Sequence, residues 1–411
     1  MRRLRRAVSW CVLPGMVAAS AVHAQRAIPQ TLRDSAAALL ADSLLDAALD
    51  DALLLPRHRV SVRAVARRYD FAGANVREQS APLAYAYDGT RVALRASGTP
   101  LSLTAPGGTV SGASPVRGRL AVRVGRGDTI EVHGNTASAP GALSMIETAV
   151  LGSIATSTVD LEAMTLGTAA AVGTRGVLSV PLGGATVGTF VGVELQPRPQ
   201  GSTPVFWRGR TLTAGASVAG DLGLARLAVR GEWSRSWADS LDGRNLFPGG
   251  GFVSLLALLD GPLDAAGRLN GSMSAFWSRP YANARADQPN RLVPQGSVWG
   301  LSGQVQLETG RVSWLPMLSL LRESSAVDIG TAQQPSRLTS SAWTASAGTA
   351  LEIPLTRAVS LAPEVGVAWG SVDARTTTMV RTRRGRTITV PRAVDDPLGG
   401  SWIALAVQTR W

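Results

Sequence analysis

From about residue 58 to the C-terminus the chain alternates, side chain by side chain, between two chemistries, and this happens in segments about ten residues long. In 186–196, Val187, Thr189, Val191, Val193 and Leu195 share one face, while Gly188, Phe190, Gly192, Glu194 and Gln196 share the other. The same holds in 298–307, 342–353 and 359–369, where Trp, Leu, Val and Ile oppose Gly, Ser, Thr, Gln and Glu. Side chains repeat every two residues only in a β-strand, so these segments are strands with one apolar and one polar face. A soluble sandwich alternates too, but its turns are short at both ends. Here short links near 182–185, 219–223, 260–267, 308–310 and 354–358 alternate with long ones near 197–208, 236–250, 278–296, 322–337 and 371–399. Strands of about ten residues joined by alternately short and long connections describe an all-β transmembrane antiparallel barrel, with the apolar face on lipid. Sixteen strands are expected, at 58–71, 82–87, 90–97, 116–124, 128–136, 166–181, 186–195, 209–218, 223–235, 251–259, 267–277, 297–307, 311–322, 338–353, 356–370 and 400–411. The hairpin within 83–96 is the weakest of these, and without it the count is fourteen.

The first 24 residues read as a secretory signal. Arg2, Arg3, Arg5 and Arg6 precede an apolar stretch, and Val22-His23-Ala24 offers a cleavage site before Gln25. The stretch is short and broken by Pro14 and Gly15, which argues against a membrane anchor. The only cysteine, Cys11, falls in this leader, so the mature chain has no thiol for a disulfide, a nucleophile or a metal. Residues 25–57 form a periplasmic segment whose 31–55 stretch is an amphipathic helix, with Asp34, Asp42, Asp46 and Asp50 on its polar side. The barrel occupies 58–411. The net charge of +12 includes four leader arginines and comes entirely from Arg, since the chain has no Lys. These charges are spread along strands without a recognisable binding motif, so nucleic acid is not an expected partner.

The last strand carries a resemblance. Ile403, Leu405, Val407, Thr409 and the terminal Trp411 share one face. This resembles the C-terminal signal of Gram-negative outer-membrane β-barrels, which ends on an aromatic residue, usually Phe, preceded by alternating apolar residues. The resemblance covers about ten residues. It implies an outer-membrane location, contact with lipid and lipopolysaccharide, and recognition by the barrel assembly machinery, and it identifies no subfamily. Trp233, Trp277, Trp299, Trp314, Trp343 and Trp369 fall near strand ends on the apolar face, as interfacial girdles require.

Residues of possible function lie on the polar face. Arg91 and Arg95 alternate with Val92 and Leu94, and Arg117, Arg119 and Arg123 with Gly118, Leu120 and Val122. Closing a turn at Gly125–Asp128 puts Arg123 opposite Glu131, Ala121 opposite His133 and Arg119 opposite Asn135. Arg175 follows on the next strand, and Arg226 and Arg230 share a face with Glu232. Arginine on lipid costs about 2–4 kcal/mol at mid-membrane, so these side chains are expected in the lumen. There they either line a path for solutes or pair with Glu131, Glu194, Glu232, Glu352 and Glu364 to brace the barrel. The mature chain has only His58 and His133, neither in a nucleophile motif, and no metal-ligand spacing or phosphate loop. No catalytic residue, cofactor or metal is therefore expected. The basic run 381–386 reads as a loop tip facing lipopolysaccharide or solvent. The leading expectation is a passive or ligand-gated path for small solutes that prefers anions. A non-transporting structural or surface-interaction barrel comes second, and an outer-membrane hydrolase third.

Overall fold

The computed structural model describes residues 58–71, 74–125, 127–138, 161–166, 170–196, 206–207, 210–237, 239–241, 244–247, 250–264, 268–282, 295–328, 336–381 and 387–411. The leader, the 31–55 helix and most of the basic run 381–386 lie outside these residues.

The early strands are β1 (His58–Phe71), β2 (Ala74–Ser80), β3 (Leu83–Asp88), β4 (Val92–Gly98), β5 (Pro100–Ala105), β6 (Gly108–Ala113), β7 (Arg117–Arg123) and β8 (Thr129–Asn135). A 3-10 turn (Glu162–Thr165) precedes β9 (Ala171–Leu182), β10 (Ala185–Leu195), β11 (Phe206–Trp207), β12 (Thr211–Leu222), β13 (Ala225–Ser236), β14 (Asp239–Leu241) and β15 (Arg244–Phe247). Long strands complete the chain: β16 (Gly250–Pro262), β17 (Leu269–Ala282), β18 (Gln295–Thr309), β19 (Val312–Asp328), β20 (Ser336–Pro354), β21 (Val359–Arg381) and β22 (Thr387–Arg410).

Sixteen of these close a circuit of antiparallel pairs: β1, β3, β4, β7, β8, β9, β10, β12, β13 and then β16 to β22, with β22 back on β1. The hairpin within 83–96 is part of the wall, so sixteen holds over fourteen. The expected strands are matched in kind, with β9 beginning at Ala171 rather than 166; β21 runs on to Arg381 and β22 begins at Thr387, so most of the connection expected at 371–399 is paired strand. The chain is thus an all-β barrel of the outer-membrane type.

The seam joins the two ends of the barrel. β1 and β22 pair from Arg59↔Arg410 to Phe71↔Leu398. His58 and Trp411 exchange backbone hydrogen bonds of 2.9 and 3.1 Å, and their rings stack 5.6 Å apart. The expected tryptophans face outward and form two belts. Trp233, Trp277, Trp299, Trp343 and Trp369 are exposed toward the long-loop end, and Trp314 and Trp411 toward the short-turn end. Between them Leu178, Val180, Val191, Leu318, Val365, Val367 and Ile403 are exposed on the outer surface. That is the apolar band a bilayer requires, and with the belts it describes a barrel wall that spans a membrane.

Six strands fall outside the expected set: β11, β14 and β15 pair with one another in a small separate sheet, and three more lengthen the wall. β2, β5 and β6 extend the tops of β3, β4 and β7, with interruptions at 81–82, Thr99 and 114–116. Below the interruptions the outward residues are apolar, as at Val92 and Leu94; above them the outward residues are Ser102, Thr104 and Ser111. The inward residues change the other way, to Leu101, Leu103 and Val110, all buried. This extension stands clear of lipid, with water outside and an apolar surface inside.

That apolar surface belongs to a core within the lumen. Leu101, Leu103, Ala105 and Val110 pack with Tyr69 of β1, Ala368, Leu398 and Trp402 of the adjoining wall, and Leu161, Ala163 and Leu166 beside the 3-10 turn. The inner wall makes room for its large rings by placing glycine beneath them. A Cβ on Gly215 would strike Phe190, one on Gly300 would strike Phe276, one on Gly366 or Gly348 would strike Trp402, and one on Gly400 would strike Tyr69. Each ring covers a neighbouring backbone that has no side chain to do so. Gly366→Val is therefore expected to push Trp402 off its seat and destabilise the barrel by about 1–3 kcal/mol. The temperature at which folded migration is lost in detergent gels should fall, and an unchanged temperature would show that the ring is not seated there.

Candidate functional site

The lumenal face is built of ion pairs on one side and hydroxyls on the other. On the charged side, Glu131 of β8 lies between two arginines from its neighbours. Arg119 of β7 donates to Oε1, and Arg175 of β9 donates to Oε2 from Nε at 2.7 Å and approaches it from Nη2 at 2.5 Å. His133 of β8 stands 3.8 Å from Glu194 of β10. Phe190 of β10 lies between arginines, with the guanidinium carbon of Arg230 at 4.0 Å from the ring centre and that of Arg175 at 5.3 Å. Such stacking on an aromatic face holds the planar cations in place. Arg230 also donates to Glu232 at 2.9 Å.

Nearer the seam, Asp88 accepts from both Arg59 and Arg95, and Glu364 accepts from Arg63 and, at 2.7 Å, from the indole of Trp402. Arg67 donates to the fully buried Glu78 at 2.8 Å. The other Glu78 oxygen accepts the Ala163 N–H at 2.8 Å and so ties the 3-10 segment to the wall. Arg410 donates to Glu352 at 3.1 Å.

The predicted site residues fall as follows. Arg95, Arg117, Arg119, Arg123, Arg175, Arg226, Arg230, Glu131, His133 and Glu232 all share the inward parity of their strands. Arg226 is the register partner of Asp260, and Arg123 reaches the Thr90 carbonyl at 3.4 Å. Arg91 is not on a strand: it is exposed in the turn between β3 and β4, because Gly89 N–H closes on the Val92 carbonyl. The β7–β8 register also differs from expectation. Val124 N–H bonds the Asp128 carbonyl, so the turn closes one pair earlier, with Arg123 opposite Thr129, Ala121 opposite Glu131, Arg119 opposite His133 and Arg117 opposite Asn135. A shift of two residues leaves every side chain on its predicted face. Four of the five acids named as bracing partners, Glu131, Glu232, Glu352 and Glu364, meet an arginine, whereas Glu194 stands beside His133 instead. Asp88, Glu78, Arg59, Arg63 and Arg67 join the lumenal face without a signal in sequence, because their ion pairs depend on β2 and on the pairing of β1 with β2, β3 and β22. His58 faces outward at the seam, 3.0 Å from the Tyr85 hydroxyl.

The opposite side carries no charge at its middle. Ser274, Ser302, Ser319 and Ser346 are successive register partners on β17, β18, β19 and β20. Ser274 and Ser302 share a hydrogen bond of 2.6 Å, as do Ser319 and Ser346. Ser302 and Ser319 are exposed on the inward face, and Gln304 and Gln306 continue below them. In a circuit of sixteen, β18 and β19 stand half-way round from β7 and β8. With the accumulated stagger of the registers allowed for, Ser302 comes level with Arg117–Arg119.

No family model matches the chain, and no curated protein does. Among solved structures it is similar to OmpT, an outer membrane protein of Vibrio cholerae, at 8% identity and a TM-score of 0.40 over 86% of this chain and 97% of that one. It is also similar to OccK5 (OpdH) of Pseudomonas aeruginosa, at 12% identity and 0.39 over 86% and 98%, and to OprD of the same organism, at 8% and 0.34 over 85% and 95%.

Proposed function

We propose that this barrel is a passive path for small solutes across the outer membrane, that it prefers anions, and that it performs no catalysis. The observation that carries this reading is the uncharged hydroxyl wall on β17–β20, whose middle serines are exposed to the lumen and face the arginine-rich wall across it. A wall that only braced a filled interior would be covered, whereas exposed hydroxyls and amides are the surface of a wet channel. The charged wall is biased toward positive: Glu131 and Asp88 each sit between two arginines. Fixed positive charge beside water lowers the energy of a passing anion and raises that of a cation.

A structural or surface-interaction barrel is the second reading, and one observation favours it: the apolar core around Leu103 and Leu166 fills part of the lumen. Planar bilayers separate the two. The first reading expects stepwise current and, across a KCl gradient, a reversal potential of anionic sign. Arg119→Ser combined with Arg123→Ser should move that potential toward zero, and high salt should weaken the preference, since the Debye length falls to about 3 Å at 1 M. Absence of current would favour the structural barrel. Cation preference, or no change in the double variant, would mean the arginines brace the wall and select nothing.

A further inference from the structure

Just beyond the long-loop tryptophan belt, the outer surface carries three arginines that the lumenal reading does not use. Arg235 lies two residues past Trp233 on β13, and Arg279 two residues past Trp277 on β17. Arg322 of β19 is the register partner of Trp299 on one side and Trp343 on the other. Their outward direction follows from their neighbours in sequence: Ser234 and Ser278 are fully buried on the inner side, and Leu321 faces inward across from Gly300. All three arginines are exposed, and no acid among the described residues pairs with them. Val253 of β16, exposed on the outer surface, is the register partner of Arg279 on one side and of Trp233, two residues before Arg235, on the other; Trp299 is the partner of Arg322 and of Trp277, two residues before Arg279. With the stagger of the registers allowed for, the three cations share one level and sit on alternate strands. Neighbours are thus roughly 10 Å apart, two strand spacings.

The position decides the kind of partner. Arginine in the middle of the apolar band would cost about 2–4 kcal/mol, but near the interface the cost falls to about 0–1. The tryptophans mark that interface, so the guanidinium groups lie at headgroup depth in the outer leaflet. Guanidinium groups bind phosphate with paired, charge-assisted hydrogen bonds. Alternating exposed apolar residues below them suit acyl chains. We propose that Arg235, Arg279 and Arg322 form a site for the phosphorylated glycolipid of the outer leaflet. A two-sugar headgroup bearing a phosphate at each end would span adjacent arginines while its acyl chains lie on Val253, Trp277 and Trp299.

The test is native mass spectrometry of the whole barrel released from detergent with defined lipids. Diphosphorylated lipid A should remain bound to the native protein, monophosphorylated lipid A about tenfold more weakly, and phosphatidylglycerol more weakly still. The triple variant Arg235→Gln, Arg279→Gln, Arg322→Gln should lose the preference for the second phosphate, whereas Arg77→Gln, an exposed arginine outside the patch, should keep it. Heat-modifiable migration checks that the variant is folded, and the comparison among lipids on the native protein needs no variant. Equal retention of mono- and diphosphorylated lipid A overturns the proposal. So does equal retention of phosphatidylglycerol, which would mean a general attraction to anionic lipid, or native binding by a folded triple variant.

Discussion

Removing Trp411, or placing Asp at both Leu405 and Val407, should abolish insertion of this barrel and leave the chain in periplasmic aggregates or degraded. The seam is where the first and last strands meet, with β22 paired on β21 along one edge and on β1 along the other. Leu405 and Val407 are exposed on the outer face beside Ile403, and a carboxylate there costs roughly 2 kcal/mol in a transmembrane barrel. Two of them on one strand consume much of the 5–15 kcal/mol by which a typical domain is stable. Trp411 adds a separate contribution. Its backbone makes the last two hydrogen bonds of the seam with His58, and its ring stacks on the His58 ring, which also touches Tyr87 at 4.9 Å. The C-terminal alternation is also what we propose the barrel assembly machinery reads. Trp411→Phe keeps an aromatic ring on the same face and should insert nearly as well. Surface labelling together with heat-modifiable migration measures this, and normal display of the doubly substituted chain would show that its last strand is not read as supposed.

The strand count, the lipid-facing side and the lumenal side of the predicted arginines that lie on strands were legible because hydrocarbon selects apolar outward residues within the membrane band, so parity fixes the face; Arg91, which falls in a turn, escapes that rule. The rule ends where the lipid ends. In β5 and β6, Leu101, Leu103 and Val110 point inward and Ser102, Thr104 and Ser111 outward, the reverse of β4 below them on the same strands. Read by lipid logic these segments contradict the wall, and only the inner core explains them. The β7–β8 register slipped by two because the Gly125–Asp128 turn can close at more than one pair without moving a side chain to the wrong face. Arg–Glu pairing across strands was expected in kind, but Glu78 could not be assigned a partner, since its role depends on the 3-10 segment some 85 residues later.

Glu78→Ala should loosen that segment and change the conductance of the barrel more than any single substitution among the lumenal arginines. Both oxygens of Glu78 are used inside the core: one holds Arg67, itself nearly buried, and the other holds the Ala163 N–H. Removing the carboxylate takes one counter-charge from a buried guanidinium and leaves a buried N–H without that acceptor. Breaking a buried pair from one side costs about 3–5 kcal/mol. The wall, held by its sixteen-strand circuit, can bear that cost, whereas Leu161–Leu166 joins the wall through this tie and through packing on Val76, Leu103 and Val110. The segment is therefore the part expected to leave. Under the channel reading, single-channel current should rise and become noisier, and protease should cut near 161–166. The double variant Arg67→Met, Glu78→Met replaces the pair by apolar side chains of similar volume, a change often neutral or stabilising in a buried site. It should restore the native thermal transition and quiet the current, although Ala163 loses its acceptor in both variants. If Glu78→Ala conducts as the native barrel does and loses folded migration at the same temperature, the tie to Ala163 holds nothing that matters to the lumen. If the double variant is as disturbed as Glu78→Ala, the hydrogen bond to the segment, rather than the ion pair with Arg67, is what keeps it in place.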